Sequence, residues 1–354
     1  MKKALCLLLA TCMIFTAAGC GKSEAPAASG GTASQPAASA PAAPGGDKAV
    51  MRIGIGLNDQ HPQYLGLLKF KEEVEKNTGG RFEVQVNHSG TVGDDRAMLE
   101  MLQMGTLDGT CPSSAVVANF APEFTLYDFP FLFTTLEEVD AILDGEKGRE
   151  ILDLLEPAGI IGMNYWELGF LNITNSKRPV TKVEDLNGLK IRTMENQLQL
   201  DTLRALGANP TPMAFSELFT AMQQGTVDGQ QNPEASIYSM KFYEVQKYMT
   251  LTRHVYQPFV FCISKKFWDK LSDEDKAIFQ AAADAGRDEE RRIIREESVE
   301  LQQKLAELGM QVDEMAEGEV ERMKELVQPV IDTHAEKIGK ELVDEMYAAV
   351  AALH

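Results

Sequence analysis

The chain is short of cations, cysteine and aromatic rings. Lys and Arg total 34 against 53 Asp and Glu, a formal charge of −19. Phosphate recognition needs an excess of exposed cations, so this balance excludes nucleic acid as a partner. It also disfavours contact of the folded body with an anionic membrane surface. Only five Cys and two Trp occur among 354 residues. Cys6 and Cys12 fall in an apolar N-terminal stretch, and Cys20 follows it, leaving Cys111 and Cys262 for the body. Two cysteines make no disulfide scaffold; two buried free thiols are expected, with a Cys111–Cys262 disulfide as the alternative. The five histidines, His61, His88, His254, His334 and His354, show no metal-ligand spacing, and there is no CxxC, HExxH, P-loop or GxSxG. Gly54-Ile55-Gly56 opens like a dinucleotide fingerprint, but Asp59 stands where a third Gly belongs. Carboxylates are abundant, yet no pair is singled out as a glycosidase-like acid and base. No metal and no cofactor are expected. Beyond the N-terminus no run of 18 apolar residues occurs, so nothing in the body has the length of a membrane span.

What is present suits a folded protein. The apolar content of 44% excludes disorder of the whole chain, and 354 residues correspond to about two domains at roughly 150 residues each. Residues 1–20 read as a signal peptide: Lys2 and Lys3, then an apolar core from Ala4 to Phe15 too short to span a bilayer. Thr16-Ala17-Ala18-Gly19-Cys20 resembles a bacterial lipobox, with Ala17 where Leu is commonest, and makes Cys20 the lipidation site. Ordinary secretory cleavage nearby is the alternative. Residues 21–48 are almost wholly Ala, Pro, Ser, Gly and Thr, a flexible linker that cannot bury enough apolar area to offset its ordering entropy. Loss of Lys2 and Lys3 takes the charge from −19 to −21. The expected location is extracytoplasmic, tethered to the cell membrane.

The body contains an echo. Gln103-Met104-Gly105-Thr106-Leu107-Asp108-Gly109 and Gln223-Gln224-Gly225-Thr226-Val227-Asp228-Gly229 lie 120 residues apart, each closing a helical pattern at a Gly suited to the left-handed cap. Two related α/β lobes are the better reading, chance similarity of one heptamer the other. Arg52–Leu57 and Phe82–Val86 alternate like strands, with a helix over Pro62–Asn77 between them. Asp94 is a candidate N-cap for the helix that ends at Gly105. Further strands are expected over 159–166, 189–192 and 259–264, and a helix over 198–206. The pattern is helical from Asp273 to Leu308 and from Glu319 to Ala349, with Pro329 a kink or break; these helices read as braces, and the charges over 284–297 as a solvated face.

Four segments follow in order: Gly188-Leu189-Lys190-Ile191-Arg192; Gly207-Ala208-Asn209-Pro210-Thr211-Pro212-Met213-Ala214-Phe215-Ser216-Glu217; Asp228-Gly229-Gln230-Gln231-Asn232-Pro233; and Lys241-Phe242-Tyr243-Glu244-Val245-Gln246-Lys247. Together with Gly93-Asp94-Asp95-Arg96 and Thr174-Asn175-Ser176-Lys177-Arg178-Pro179, they resemble the DctP-type solute-binding proteins of TRAP transporters over about residues 50 to 350. The resemblance implies an α/β fold of two lobes closing on ligand like a flytrap, with long C-terminal bracing helices. It divides the body into lobe I, 49–168 plus about 258–297, and lobe II, 169–257 plus about 298–354. It implies capture of a small organic acid and delivery to two membrane subunits, without turnover. Arg192 would clamp the acid group; from residue type alone it reads as a structural salt-bridge former. Asn232 would hydrogen-bond the same acid group, and Phe215 would pack on the ligand. Asp95 would reach polar ligand groups, its alternative being a carboxylate favoured by a helix N-terminus. Asn58 and His61 sit at the first strand-to-helix turn, where the family places ligand contacts; an exposed turn is equally consistent. Ser113 falls at another such turn or is a plain helix cap. Trp166 lines the site or is a core strand residue, with Glu167 beside it.

Two positions depart from the family. Leu171 stands where many relatives carry a second Arg, and Gln231 where Glu is usual. Read as coupled, the two make the far side of the pocket less polar and point to a monoacid, such as a 2-hydroxy or 2-oxo acid or a small sulfonate, instead of a C4-dicarboxylate. A sensing subunit that presents its closed form to a signalling receptor shares the same pocket. An exported two-lobed enzyme would need an acid/base pair or nucleophile that no motif supplies.

Overall fold

The computed structural model describes residues 48–354; the signal peptide, Cys20 and nearly all of the linker lie outside the described residues. The strands are β1 (Ala49–Gly54), β2 (Phe82–Asn87), β3 (Gly109–Thr110), β4 (Ile160–Phe170), β5 (Asn172–Asn175), β6 (Lys190–Thr193), β7 (Asn209–Pro212), β8 (Gly229–Asn232), β9 (Tyr248–Leu251), β10 (Tyr256–Ser264) and β11 (Gln311–Glu314). They form two sheets, ordered β2-β1-β3-β10-β4 and β11-β9-β5-β8-β6-β7. In the first, β1 is parallel to β2 and β3, and β10 runs antiparallel to β3 and β4. In the second, β6 is parallel to β7 and β8, and β5 runs antiparallel to β8 and β9.

The heptamer echo is the trace of a repeated β-α-β-α-β unit. The order β2-β1-β3 is matched by β7-β6-β8, with helices Pro62–Asn77 and Asp95–Met104 in one unit and Gln197–Ala205 and Phe215–Gln224 in the other. Gly105 and Gly225 end the second helix of each in the left-handed conformation, at φ 73° and 72°. The two aspartates then do the same work. Asp108 Oδ2 accepts from the Arg52 amide at 2.8 Å, and Asp228 Oδ2 accepts from the Lys190 amide at 2.9 Å. Each carboxylate thus satisfies the amide one residue before its strand begins to pair with the third strand of the unit, at Ile53 on β3 and at Ile191 on β8.

The chain passes directly from the first sheet to the second at Leu171, between β4 and β5, and returns over residues 252–255, between β9 and β10. The two crossings are bonded together, the Leu171 amide donating to Val255 O at 2.8 Å. A third link is the helix Asp273–Glu307, which packs on helix Pro62–Asn77 and β4 at one end and on helix Glu234–Ser239 and β11 at the other. Cys111 and Cys262 are buried free thiols.

Three local expectations are corrected. The first strand starts at Ala49 and ends at Gly54, because the chain turns at Ile55–Leu57 toward the next helix instead of continuing its alternation. Pro329 does not break its helix, which runs from Glu319 to Ile338. Met323, Val327, Ile331 and His334 bury one face along that whole length, and the break falls at Gly339, φ 109°. Packing of an amphipathic face outweighs the one backbone bond that proline removes. The charges over 284–297 are not all solvated. Glu290 is buried with Oε2 accepting from the Glu167 amide, and Arg291 and Arg295 bind Asp140, Asp144 and Glu167, fastening the long helix to β4.

Candidate ligand-binding site

A cavity lies between the two sheets. Its walls are the carboxyl ends of the parallel strands of both repeated units. Gly56, Leu57 and Gln63 follow β1, Asp94–Arg96 follow β2, and Cys111, Ser113 and Val116 follow β3. Opposite them, Arg192 and Glu195 come from the end of β6, Met213 and Phe215 from β7, and Asn232 from β8. Open α/β sheets place their clefts at this edge, where helix N-termini add positive potential.

Arg192 is the unusual group in this wall. It is 1% exposed, and its Nε and Nη2 both donate to Met213 O, at 3.0 and 2.7 Å. Its Nη1 is buried without a hydrogen-bond partner among the described residues. Burial pulls the guanidinium down to about 10, opposed by the charges of Asp95 and Glu195. The guanidinium lies 5.8 Å from the centre of the Phe215 ring, a cation–π contact. A buried cation with an unmade bond is costly unless an acceptor meets it.

Asn232 presents an acceptor. Gln246 Nε2 donates to the carbonyls of Val245 (3.0 Å) and Asp228 (3.4 Å), which fixes its Oε1 toward Thr174. The Thr174 hydroxyl donates to that oxygen at 2.9 Å and accepts from Gln230 Nε2 at 2.9 Å. Gln230 Oε1 therefore accepts from Asn232 Nδ2, and Asn232 Oδ1 is left buried without a partner. The relay uses one of the two Nδ2 hydrogens of Asn232, so its second N–H and its oxygen, which has no partner among the described residues, are the parts of the amide that a ligand can meet.

Asp95, Phe215 and Ser113 also line the cavity. Burial pushes the Asp95 carboxyl up to about 6, Asp94 adding to the rise, while the Ser113 backbone and Arg192 pull it down. Ser113 caps the helix Ser114–Val117 as well, its Oγ accepting from the Ala115 amide. Gly56 leaves room for the Asp95 carboxylate, since a Cβ there would lie 3.3 Å from Asp95 Oδ1.

Five other sequence candidates lie outside the cavity wall. Asn58 Nδ2 donates to Ser239 O at 2.7 Å. His61 is buried; its Nδ1 accepts from the Gln63 amide at 3.1 Å, and its Nε2 lies 3.2 Å from Ser236 Oγ. Both therefore join the first unit directly to the helix Glu234–Ser239 of the second. Trp166 is a core residue, 5.5 Å from Phe261 and pressed on Gly66, where a Cβ would come within 2.6 Å of the indole. Leu171 is fully buried at the crossing between the sheets. Gln231 is turned away because neighbours on a strand point to opposite faces; its Nε2 donates to Gln199 Oε1 and its Oε1 meets His254 Nε2, both at 2.9 Å.

Sequence reading missed Gln63, Leu168, Met213 and Phe259 in the wall. Leu168 reaches it through a bulge: Gly169 pairs with Gln257 and Glu167 with Pro258, so Leu168 is an extra residue. Alternation from Trp166 could not reveal that shift. Leu168, Val116 and Phe259 supply the apolar side that had been assigned to Leu171.

The buried His61 gives a pH prediction. Burial lowers its imidazole from 6.5 to about 3, so between those values the unfolded chain takes up a proton that the native site refuses. Stability contributed by neutral His61 is present above 6.5 and lost as pH falls, by about 1.4 kcal/mol per pH unit. In urea unfolding, the wild type should lose stability relative to His61→Gln with that slope; a pH-independent difference contradicts the assignment.

Comparison with known proteins agrees with this architecture. Residues 53–338 match the family model DctP, described as bacterial extracellular solute-binding protein, family 7. The sugar acid binding protein DctPAm of Advenella mimigardefordensis, solved with galactonate, is 40% identical with a TM-score of 0.85, over 87% of this chain and 99% of that one. A TRAP periplasmic solute-binding protein of Polaromonas sp. JS666, solved with D-erythronate, is 40% identical with a TM-score of 0.82, over 85% and 99%. A solute-binding protein of Verminephrobacter eiseniae is 39% identical over 84% of this chain and 89% of its own. The family match over residues 53–338, with relatives about 40% identical over most of both chains, makes this chain a member of the DctP family of TRAP periplasmic solute-binding proteins, a family of transport binding proteins.

Proposed function

We propose that the protein captures a 2-hydroxy monocarboxylate of the sugar-acid type and hands it to the integral membrane subunits of a TRAP transporter. The observation that carries this reading is the pairing of two open groups on one wall: Arg192 Nη1, a charged donor, and Asn232 Oδ1, an acceptor. An acid placed there gives a carboxylate oxygen to Arg192 and a hydroxyl proton to Asn232. Charge-assisted bonds of this kind contribute about 1.5–3 kcal/mol each. Further hydroxyls would meet Asp95, Ser113 and Gln63. A second carboxylate would instead face Asp94, Asp95 and Glu195. The one other cation of the wall, Arg96, is 49% exposed and turned to Glu100 and Glu195. The relatives solved with galactonate and D-erythronate support the same class, since both ligands are 2-hydroxy acids with one carboxylate.

In this reading the first sheet, with the chain up to Phe170 and from Tyr256 to about 297, moves as one lobe, and the second sheet, with residues 171–255 and about 298–354, as the other, around the crossings at Leu171 and residues 252–255. Ligand contacts from both lobes favour the closed form, whose shape the membrane subunits recognise. A small carboxylate can be held by a protein of charge −19 because a buried Arg acts at contact distance while surface charges are screened beyond about 10 Å.

Calorimetric titration with D-erythronate and with its 2-deoxy analogue tests the site. Binding of D-erythronate should exceed that of the analogue about tenfold, and Arg192→Ala should weaken it at least about a hundredfold. Equal affinity for the two acids, or an unaffected variant, contradicts the assignment. Attachment through lipidated Cys20 is part of the proposal, resting on the Ala17-Ala18-Gly19-Cys20 motif and the linker behind it. Wild type expressed in a bacterium should fractionate with membranes and Cys20→Ser with the soluble extracytoplasmic fraction; identical fractionation contradicts the anchor.

A further inference from the structure

Asp128 ends the 3₁₀ helix Pro122–Asp128, which packs on β10 of the first sheet. It is 1% exposed, and no cation accounts for it: its partners are three side-chain amides. Asn196 Nδ2 donates to Oδ2 at 2.8 Å, Gln199 Nε2 donates to Oδ1 at 2.8 Å, and Gln257 Nε2 also donates to Oδ1. Gln257 lies on β10, alongside Asp128. Asn196 and Gln199 open the helix Gln197–Ala205, three residues beyond β6, the strand that carries Arg192.

The orientation of the Asn196 and Gln199 amides is fixed by what their oxygens do. Asn196 Oδ1 caps its own helix, accepting from the Gln199 amide at 3.1 Å. Gln199 Oε1 accepts from Gln231 Nε2 at 2.9 Å. Both residues are therefore turned so that only their N–H groups face Asp128, and a carboxylate is the side chain that can accept from all of them at once.

We infer that Asp128 is a latch of the cleft: a buried acceptor on one lobe that receives the amide donors of the helix behind Arg192 and so positions Arg192 in the closed form. Opening the cleft breaks the two bonds from Asn196 and Gln199 and leaves the bond from Gln257. The latch touches no ligand and acts only on the balance between open and closed forms, which sets the apparent affinity. The inference rests on the reading of the cavity as an acid-binding cleft that closes.

A donor–acceptor exchange tests it. Asp128→Asn puts an N–H against the N–H of Asn196, and Asn196→Asp puts a carboxylate against a carboxylate. Each should weaken D-erythronate binding about tenfold in calorimetry. The double variant D128N/N196D reverses one bond and keeps the rest of the latch. The introduced amide donates to the introduced carboxylate, the amide oxygen still accepts from Gln199 and Gln257, and the carboxylate still caps the helix. The double variant also exchanges the 3.3 Å bond from Asn196 to Ala115 O for an oxygen–oxygen contact, so its affinity should return toward wild type and exceed that of either single variant. Thermal unfolding without ligand is measured alongside, and small-angle scattering reports the loss of compaction on adding the acid. Single variants with wild-type affinity, or a double variant as weak as the singles add up to, overturn the latch while leaving the cleft assignment intact. Failure of the wild type to bind the acid overturns the reading of the cleft.

Discussion

A buried guanidinium whose Nη1 has no partner among the described residues constrains the rest of this molecule. Arg192 is held by the Met213 carbonyl and faces the Phe215 ring, so its position depends on β6 and β7 staying in register. On its other side β6 is tied to the start of β8 by the Asp228 carboxylate, which follows the left-handed cap at Gly225. Because a desolvated cation is stabilised most by a charged acceptor, the arrangement favours an anion with one negative group at that point. The oxygen of Asn232 beside it adds the requirement for a donor. A single carboxylate flanked by a hydroxyl meets both demands.

The two sheets serve this chemistry by repetition. Each supplies three parallel strands whose carboxyl ends end at the cleft, and each reaches the other through strands that run on from sheet to sheet. Direct side-chain bonds also span the cleft, from Asn58 to Ser239, His61 to Ser236, and Asn196 and Gln199 to Asp128. None of these needs a ligand. In the proposed reading an acid adds its own contacts to these bonds and shifts an equilibrium between two shapes.

Much of this was legible in the sequence because the signals are local. Helix Pro62–Asn77, the Asp94 cap and the two Gly-Thr-(Leu/Val)-Asp-Gly turns follow from periodicity and capping, and the motif around Arg192 located the cleft. What was illegible depends on pairing between distant strands. The bulge that brings Leu168 into the wall arises from the register of β4 against β10, and Trp166 is core because Gly66 and Gly286 leave room for its ring. Asn58 and His61 carry the right chemistry, but the cleft partners that claim them are more than 170 residues away. One miss was avoidable: Gln231 and Asn232 are strand neighbours, so they could not both face one cavity.

The most direct test is a crystal structure of the mature protein with D-erythronate. The account predicts a carboxylate oxygen within hydrogen-bond distance of Arg192 Nη1 and the 2-hydroxyl on Asn232 Oδ1, with the Arg192–Met213 bonds retained. A ligand whose carboxylate lies elsewhere in the cleft, or whose carboxylate takes the Asn232 amide N–H, would contradict it.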